Sequence, residues 1–294
     1  MIVAANIGVC DEVELIDCNI RHLQAIGVDR IVVTDTGSSD GTAEILQAFA
    51  DRGEILLLRT ARDDDDMLGF ANRMLQRTLD EFRPDWVLFA DGDEFHVPKT
   101  GRIHDALASA GADVLSVERL NVALGPEGPF WPADLAPANH ADLLLIARPI
   151  ENFFRHLQTH PETAWIMGRV LPKIVARAKA VAAGIITGAH GAIDQPGDSF
   201  RTAPATDILL AHVQASSLER FTRKLDNIRA HFAIHGHKYV GLQAWQWRRW
   251  VQLADEGKSE EEYARQVLSD AELTTMRGDR RVLSATEWFD QASR

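Results

Sequence analysis

The chain has 294 residues, enough for one large α/β domain or two smaller ones to bury a core without disulfide or metal staples. Its 43 Asp and Glu outnumber 31 Lys and Arg, and the resulting net charge of −12 excludes a general nucleic-acid binder, since no basic excess is left to neutralise phosphates. Cys10 and Cys18 are too few for a disulfide framework or a four-ligand zinc site, and no apolar run approaches the roughly 20 residues of a membrane span. Met1 runs straight into Ile2-Val3-Ala4-Ala5 without a basic flank or a long apolar segment, so a cytoplasmic chain is expected, at most resting on a membrane surface.

In chain order, periodicity predicts a strand over Ile2–Val9, a helix over Glu12–Ile26 stopped by Gly27, and a strand over Arg30–Thr34. A helix over Thr42–Ala50 closed by Gly53, a strand over Glu54–Leu58, a helix over Leu68–Phe82 and a strand over Trp86–Ala90 follow. This β-α-β-α-β-α-β series demands an α/β fold with a mostly parallel sheet and helices on both faces. Ligands of such sheets gather beyond the carboxyl ends of the strands. Past Gly101 the rhythm changes to a helix over His104–Ala110, a strand over Asp113–Glu118 and a Pro- and Gly-rich loop over Gly125–Pro132. Short strands are predicted near Leu143–Ala147, Lys173–Ala176 and Ile208–Ala211, then helices over Ser217–His235, Leu242–Asp255 and Ser259–Ser269.

Two segments carry chemistry. In Phe89-Ala90-Asp91-Gly92-Asp93-Glu94-Phe95, two carboxylates one residue apart follow a buried strand and can converge on a hard cation. Mg²⁺ and Mn²⁺ favour such oxygen ligands and bridge them to substrate phosphates; the bland alternative is a polar turn. In Asp35-Thr36-Gly37-Ser38-Ser39-Asp40-Gly41-Thr42, the glycines permit sharp turning and Ser, Thr and Asp can cap the next helix. Its functional reading is a nucleotide-facing loop in which Asp35 accepts hydrogen bonds from a ribose or base. It has neither the G-x-G-x-x-G of a dinucleotide site nor the G-K-[ST] of a P-loop.

The ordered pair of blocks, GVDRIVVTDTGSSDGT and DWVLFADGDEF, resembles the family 2 type glycosyltransferases of GT-A fold. The likeness runs over Val9–Val97 and includes His22 and, in Gly69-Phe70-Ala71-Asn72, Asn72. It implies a GT-A-like, Rossmann-like catalytic domain over residues 1–215, with a nucleotide-binding half (1–100) and an acceptor-side half (101–215), and a helical extension over 216–294. It also implies a nucleoside-diphosphate-sugar donor, Mn²⁺ or Mg²⁺, and inverting transfer to the hydroxyl of a glycan, lipid or small-molecule acceptor. Carried over, Asp35 contacts the nucleoside, Asn72 lies at the donor site, and Asp91 and Asp93 hold the metal or the diphosphate. Where the family often has K-N-E after its first strand, this chain has Val9-Cys10-Asp11, and only the carboxylate of Asp11 is kept. Fainter later blocks make His212 a third metal ligand or diphosphate contact, and Lys173 and Lys224 phosphate partners.

A catalytic base must reach the acceptor hydroxyl. Asp134, Asp142, Glu162 and Asp194 qualify by type, with Asp194 preferred between His190 and the Pro196-Gly197 turn. Asp63–Asp66 reads as a solvated run or a cation site. The His231/His235/His237 spacing permits a metal pair but fits a helix end better. Trp245, Trp247 and Trp250 either pack inward or offer rings to sugars or a membrane surface. Two other readings compete. One is a haloacid-dehalogenase-like phosphohydrolase with Asp91 as nucleophile and Asp93 as acid/base. The other is a non-catalytic module that binds nucleotide or glycan.

Overall fold

The computed structural model describes residues 1–61, 67–193, 197, 199–240 and 244–292. The first hundred residues fold as β1 (Val3–Val9), α1 (Ile16–Ala25), β2 (Arg30–Asp35), α2 (Thr42–Asp51), β3 (Leu56–Arg59), α3 (Met67–Phe82), β4 (Trp86–Asp91) and β5 (Glu94–Pro98). Next come α4 (Ile103–Ala108), β6 (Val114–Val117), β7 (Arg119–Asn121), the short hairpin β8 (Leu124–Gly125) and β9 (Gly128–Pro129), β10 (Leu144–Ile146) and α5 (Phe153–Leu157). The remainder is β11 (Lys173–Arg177), β12 (Thr202–Pro204), β13 (Ile208–His212), α6 (Leu218–His235), α7 (Trp245–Asp255), α8 (Ser259–Gln266), α9 (Asp270–Gly278), β14 (Val282–Ser284) and α10 (Ala285–Ala292).

Seven strands form the main sheet in the order β12-β6-β11-β4-β1-β2-β3. All run parallel except β11, which is antiparallel to both β4 and β6. The apolar runs of β1 and β4 reflect burial on both faces. Trp86 and Leu88 pack with Ile16, Ile20, Leu46, Phe49 and Ile103 of the helices on one face. Val87 and Phe89 pack with Leu75 of α3 and Val181 and Ile185 on the other. Gly8 lets the Phe70 ring close over β1, since a Cβ there would lie 3.1 Å from it. Helix α1 starts at Ile16 and not at Glu12, because Asp11 takes a left-handed φ of 55° and the Glu12 and Val13 amides donate to Thr42 and Asp40.

A second sheet, β5-β13-β7, lies beyond the end of β4. Register puts Glu94 and His96, His212 and Leu210, and Asn121 and Arg119 on one face. Phe95, Val97, Leu120, Leu209 and Ala211 on the other face enter an apolar cluster. One side of this small sheet is thus built for charge and the other for packing.

Another core joins Leu144, Phe153 and Trp165 to Ala215, Phe221, Leu225, Trp250 and Met276, so the two sides of position 215/216 share one apolar interior. The C-terminal region is helical but for β14, which pairs antiparallel with β10 through Leu145 and Leu283. Helix α9 opens on a capping box between Ser269 and Glu272. No described helix is long and apolar enough to cross a membrane.

Candidate active site

Asp35 ends β2 opposite Val9, and Asp91 ends β4 opposite Gly8, so they flank the carboxyl end of β1. Two strand spacings separate them, about 10 Å. On the β2 side, Asp35 is buried and its Oδ1 accepts the Ser38 amide at 2.9 Å. Asp11, also buried, accepts the Ser39 amide at 2.6 Å and hydroxyl at 3.3 Å, while its own amide donates to Ser38 Oγ at 2.9 Å. Asp40 takes the capping role, accepting the Thr42 amide at 3.0 Å and hydroxyl at 2.6 Å. Capping of α2 therefore does not consume Asp35.

On the β4 side the three carboxylates have different surroundings. The Asp91 side chain is 59% exposed, Asp93 6% and Glu94 0%. Gly92 allows the tight path between them, since a Cβ there would lie 3.0 Å from Val9 and 3.1 Å from Glu12. Asn19 Nδ2 pins the turn through the carbonyls of Gly92 (3.0 Å) and Glu94 (2.9 Å). Glu94 Oε1 pairs with Arg119 at 2.5 Å, and Oε2 accepts Lys173 Nζ at 2.6 Å and the Asp91 amide at 2.8 Å. Lys173 also reaches Asp91 at 2.8 Å. Because β11 runs antiparallel, its first residue lies where the parallel strands end, which delivers a buried ammonium to their carboxyl edge.

Asp93 Oδ2 accepts Lys224 Nζ at 2.7 Å and Arg220 Nη2 at 2.9 Å, with His212 Nε2 at 3.5 Å. Arg220 is buried, and all its donor nitrogens are engaged. Nε and Nη2 fork onto Glu12 at 2.6 and 2.8 Å, and Nη1 reaches the Val213 and Gln214 carbonyls at 3.0 and 3.3 Å. Burial alone would raise the Asp93 and Glu94 carboxyls. Lys224 and Arg220 instead hold Asp93 well below the usual carboxylate range, and Lys173 and Arg119 do the same for Glu94. Burial lowers His212 below the usual imidazole range, against the pull of Asp93. Glu12 is pushed up by burial in spite of Arg220.

Asp93, Glu94 and His212 each offer a ligand atom within 4.8 Å of the others. Both Glu94 oxygens and Asp93 Oδ2 are already taken by cations, so a divalent ion would use Asp93 Oδ1 or displace Lys224, with His212 beside it and exposed Asp91 at the rim. A mixed carboxylate-and-imidazole set of this kind accepts divalent first-row ions, Mn²⁺ among them. A carboxylate as firmly ionised as Asp93 is a poor proton carrier, which disfavours the phosphohydrolase arrangement.

Other expected residues lie elsewhere. Asn72 exchanges hydrogen bonds with the Ile185 backbone, accepting its amide at 2.9 Å and donating to its carbonyl at 3.2 Å, which fastens α3 to the segment after β11. Asp194 and Asp63–Asp66 lie outside the described residues. Asp134 accepts from Ala136 and Asn139 within its own loop, and Asp142 and Glu162 are exposed. Trp245 stacks on Trp165 with centroids 5.3 Å apart, Trp250 is buried against Phe221, and Trp247 meets His231, whose Nε2 lies 2.7 Å from the Tyr239 hydroxyl. The inward-packing reading of this stretch accounts for all three rings. Arg220, Glu12 and Arg119 were not expected at the site. Arg220 and Lys224, one turn apart beside the inward stripe Phe221, Leu225 and Ile228, were the available signal.

The model of the family described as Glycosyl transferase family 2 matches residues 9–163. Among solved structures, S. aureus TarS 1-349 is 14% identical with a TM-score of 0.41, covering 78% of this chain and 65% of that one. Glucosyl-3-phosphoglycerate synthase from Mycobacterium tuberculosis, in complex with Mn²⁺, UDP and glucosyl-3-phosphoglycerate, is 16% identical with a TM-score of 0.34, covering 61% of this chain and 58% of that one. The chain thus spans less than two thirds of the length of either. No curated protein matches it.

Proposed function

Because the chain belongs to glycosyl transferase family 2, we propose that it moves a sugar from a nucleoside-diphosphate sugar to an acceptor hydroxyl, with inversion and with a divalent cation, Mn²⁺ or Mg²⁺. The observation that carries this reading is the carboxyl edge of the sheet, where Asp35 and Asp91 flank β1 and the Asp93–His212 pair lies behind Asp91. Asp35 and Asp11 accept hydrogen bonds from the nucleoside. Arg119, Lys173, Arg220 and Lys224 balance Glu12, Asp91, Asp93 and Glu94, so the edge does not repel a diphosphate as bare carboxylates would. Asp93 and His212, with Asp91, hold the cation, which when bound offsets charge on the leaving diphosphate. Asp194 is the proposed base, accepting the proton of the acceptor hydroxyl. The acceptor is a glycan, a lipid or a small molecule, met on the side of residues 101–215.

Thermal unfolding with UDP or GDP, with and without Mn²⁺, tests this reading. One nucleoside diphosphate is expected to raise the transition only in the presence of the ion, because a ligand bound to the native state alone stabilises it. Asp93→Ala is expected to abolish that dependence. A variant whose stabilisation by the nucleotide still depends on Mn²⁺ as in the unsubstituted chain would remove Asp93 from the metal site, and nucleotide binding without transfer to any acceptor would favour the non-catalytic module.

A further inference from the structure

The His212 ring meets polar partners at both nitrogens. Nδ1 lies 2.7 Å from Asn121 Oδ1, and Nε2 lies 3.5 Å from Asp93 Oδ2. Which nitrogen carries the proton depends on which way the Asn121 amide points. That orientation is fixed by its other end: Asn121 Nδ2 donates to the carbonyls of Ile166 at 2.9 Å and Gly168 at 3.3 Å. Only an NH₂ group can satisfy two carbonyls, so the oxygen must face His212 and must accept from it. Nδ1 therefore carries the hydrogen, and in the neutral ring Nε2 presents a lone pair toward the carboxylate of Asp93.

Lys224 and Arg220, at 2.7 and 2.9 Å from the same Asp93 oxygen, offset the repulsion between that lone pair and the carboxylate, and they leave the lone pair itself open to a ligated cation. Metal-bound histidines have this same arrangement, with the far ring N–H given to a fixed acceptor that sets tautomer and orientation. Asn121 and His212 are direct partners on the adjacent strands β7 and β13, and both side chains are buried.

We propose that Asn121 is a positioning residue for the divalent cation: by accepting the Nδ1 hydrogen it keeps Nε2 of His212 free to ligate beside Asp93. The inference rests on the metal reading of the site and assigns a role to a residue that touches neither metal nor donor. Its two further hydrogen bonds tie the ligand's orientation to the 165–168 segment that borders the second core.

The test separates this role from mere structural support. Asn121→Asp keeps an acceptor for Nδ1 but loses both donors to Ile166 and Gly168; Asn121→Leu loses both functions. Mn²⁺ affinity of the full chain, read from the electron paramagnetic resonance signal of free Mn²⁺ in the presence of UDP, is expected to fall about 10–100-fold in Asn121→Leu. In Asn121→Asp it is expected to stay within about threefold of the unsubstituted chain, well short of that second-shell loss. In metal-free protein the ¹⁵N spectrum of the His212 ring is expected to show hydrogen on Nδ1 in the unsubstituted chain and on Nε2 in Asn121→Leu. Equal losses of affinity in both variants, or hydrogen on Nε2 in the unsubstituted chain, overturn the positioning role while the metal site stands. Absence of Mn²⁺ binding in the unsubstituted chain overturns the metal reading itself and the inference with it.

Discussion

The two flanks of β1 bury acidic side chains in opposite ways. At the β2 flank, Asp35 is satisfied by the neutral Ser38 amide and Asp11 by the amide and hydroxyl of Ser39. At the β4 flank, Asp93 and Glu94 are satisfied by Arg220, Lys224, Lys173 and Arg119. Neutral donors leave a carboxylate its charge, which suits accepting hydrogen bonds from sugar hydroxyls and base N–H groups. Cationic partners cancel it, which suits the neighbourhood of a diphosphate and a metal ion. The same residue type is tuned to two tasks by what encloses it.

Arg220→Met strikes the cationic flank hardest, because it strands Glu12 in the interior and leaves Asp93 only Lys224. Urea unfolding is expected to show a loss of about 3–5 kcal/mol, and a loss below about 1 kcal/mol, the scale of a surface ion pair, would contradict the network. Asp93→Ala is expected to lower kcat by about 10²–10³-fold, measured by release of nucleoside diphosphate; near-normal turnover would break the division between the flanks. Asp35→Ala addresses the neutral flank and is expected to weaken nucleotide binding about tenfold, the value of roughly one charged hydrogen bond. Isothermal titration with the nucleoside diphosphate checks it, and a larger effect on kcat than on affinity would place Asp35 on the wrong side of the comparison.

The cationic flank also bears on acid stability. His96 shares the charged face of β5 with Glu94, and burial pushes it down to about 3; His22, whose Nε2 donates to the His96 carbonyl, is pushed down to about 4. Both rings are neutral in the native state while the unfolded chain takes up protons below its ordinary value of 6.5. Stability is therefore full above that value and falls as pH drops toward 4, by about 1.4 kcal/mol per pH unit for each ring. Urea midpoints at pH 7, 6, 5 and 4.5, chosen to span roughly that window, are expected to fall progressively, and a flat series would mean that the rings are hydrated. The smallest effect is reserved for Lys224→Met. It removes the more exposed of two cations on Asp93 Oδ2 and is expected to tighten Mn²⁺ binding a few-fold; weaker binding would make Lys224 part of the site and not a competitor for it.

The parallel half was legible because its strands are continuous apolar runs between clear turn signals, from Ile2–Val9 to Trp86–Ala90. The strand-end positions of Asp35 and Asp91 followed from that pattern. Strands β5, β7, β8, β9, β12 and β14 were missed. They are short, and β5 mixes Glu94 and His96 with Phe95 and Val97, so its polar face imitates a loop. The antiparallel sense of β11 depends on sheet order, which local sequence does not encode, and with it the reach of Lys173 to Asp91. Arg220 lies in Leu218-Glu219-Arg220-Phe221-Thr222-Arg223-Lys224, where a helical Arg beside exposed Glu219 reads as solvated. Its partners Glu12 and Asp93 are more than a hundred residues away, beyond any local pattern.

The reversed strand β11 has a further consequence for how the chain matures. During synthesis the acidic turn at residues 91–94 is complete long before Lys173, Arg220 and Lys224 exist. Until those cations dock, the turn can be buried only at the cost of unpaired charge. The carboxyl edge built by the first hundred residues is therefore finished only after the last third of the chain has folded onto it.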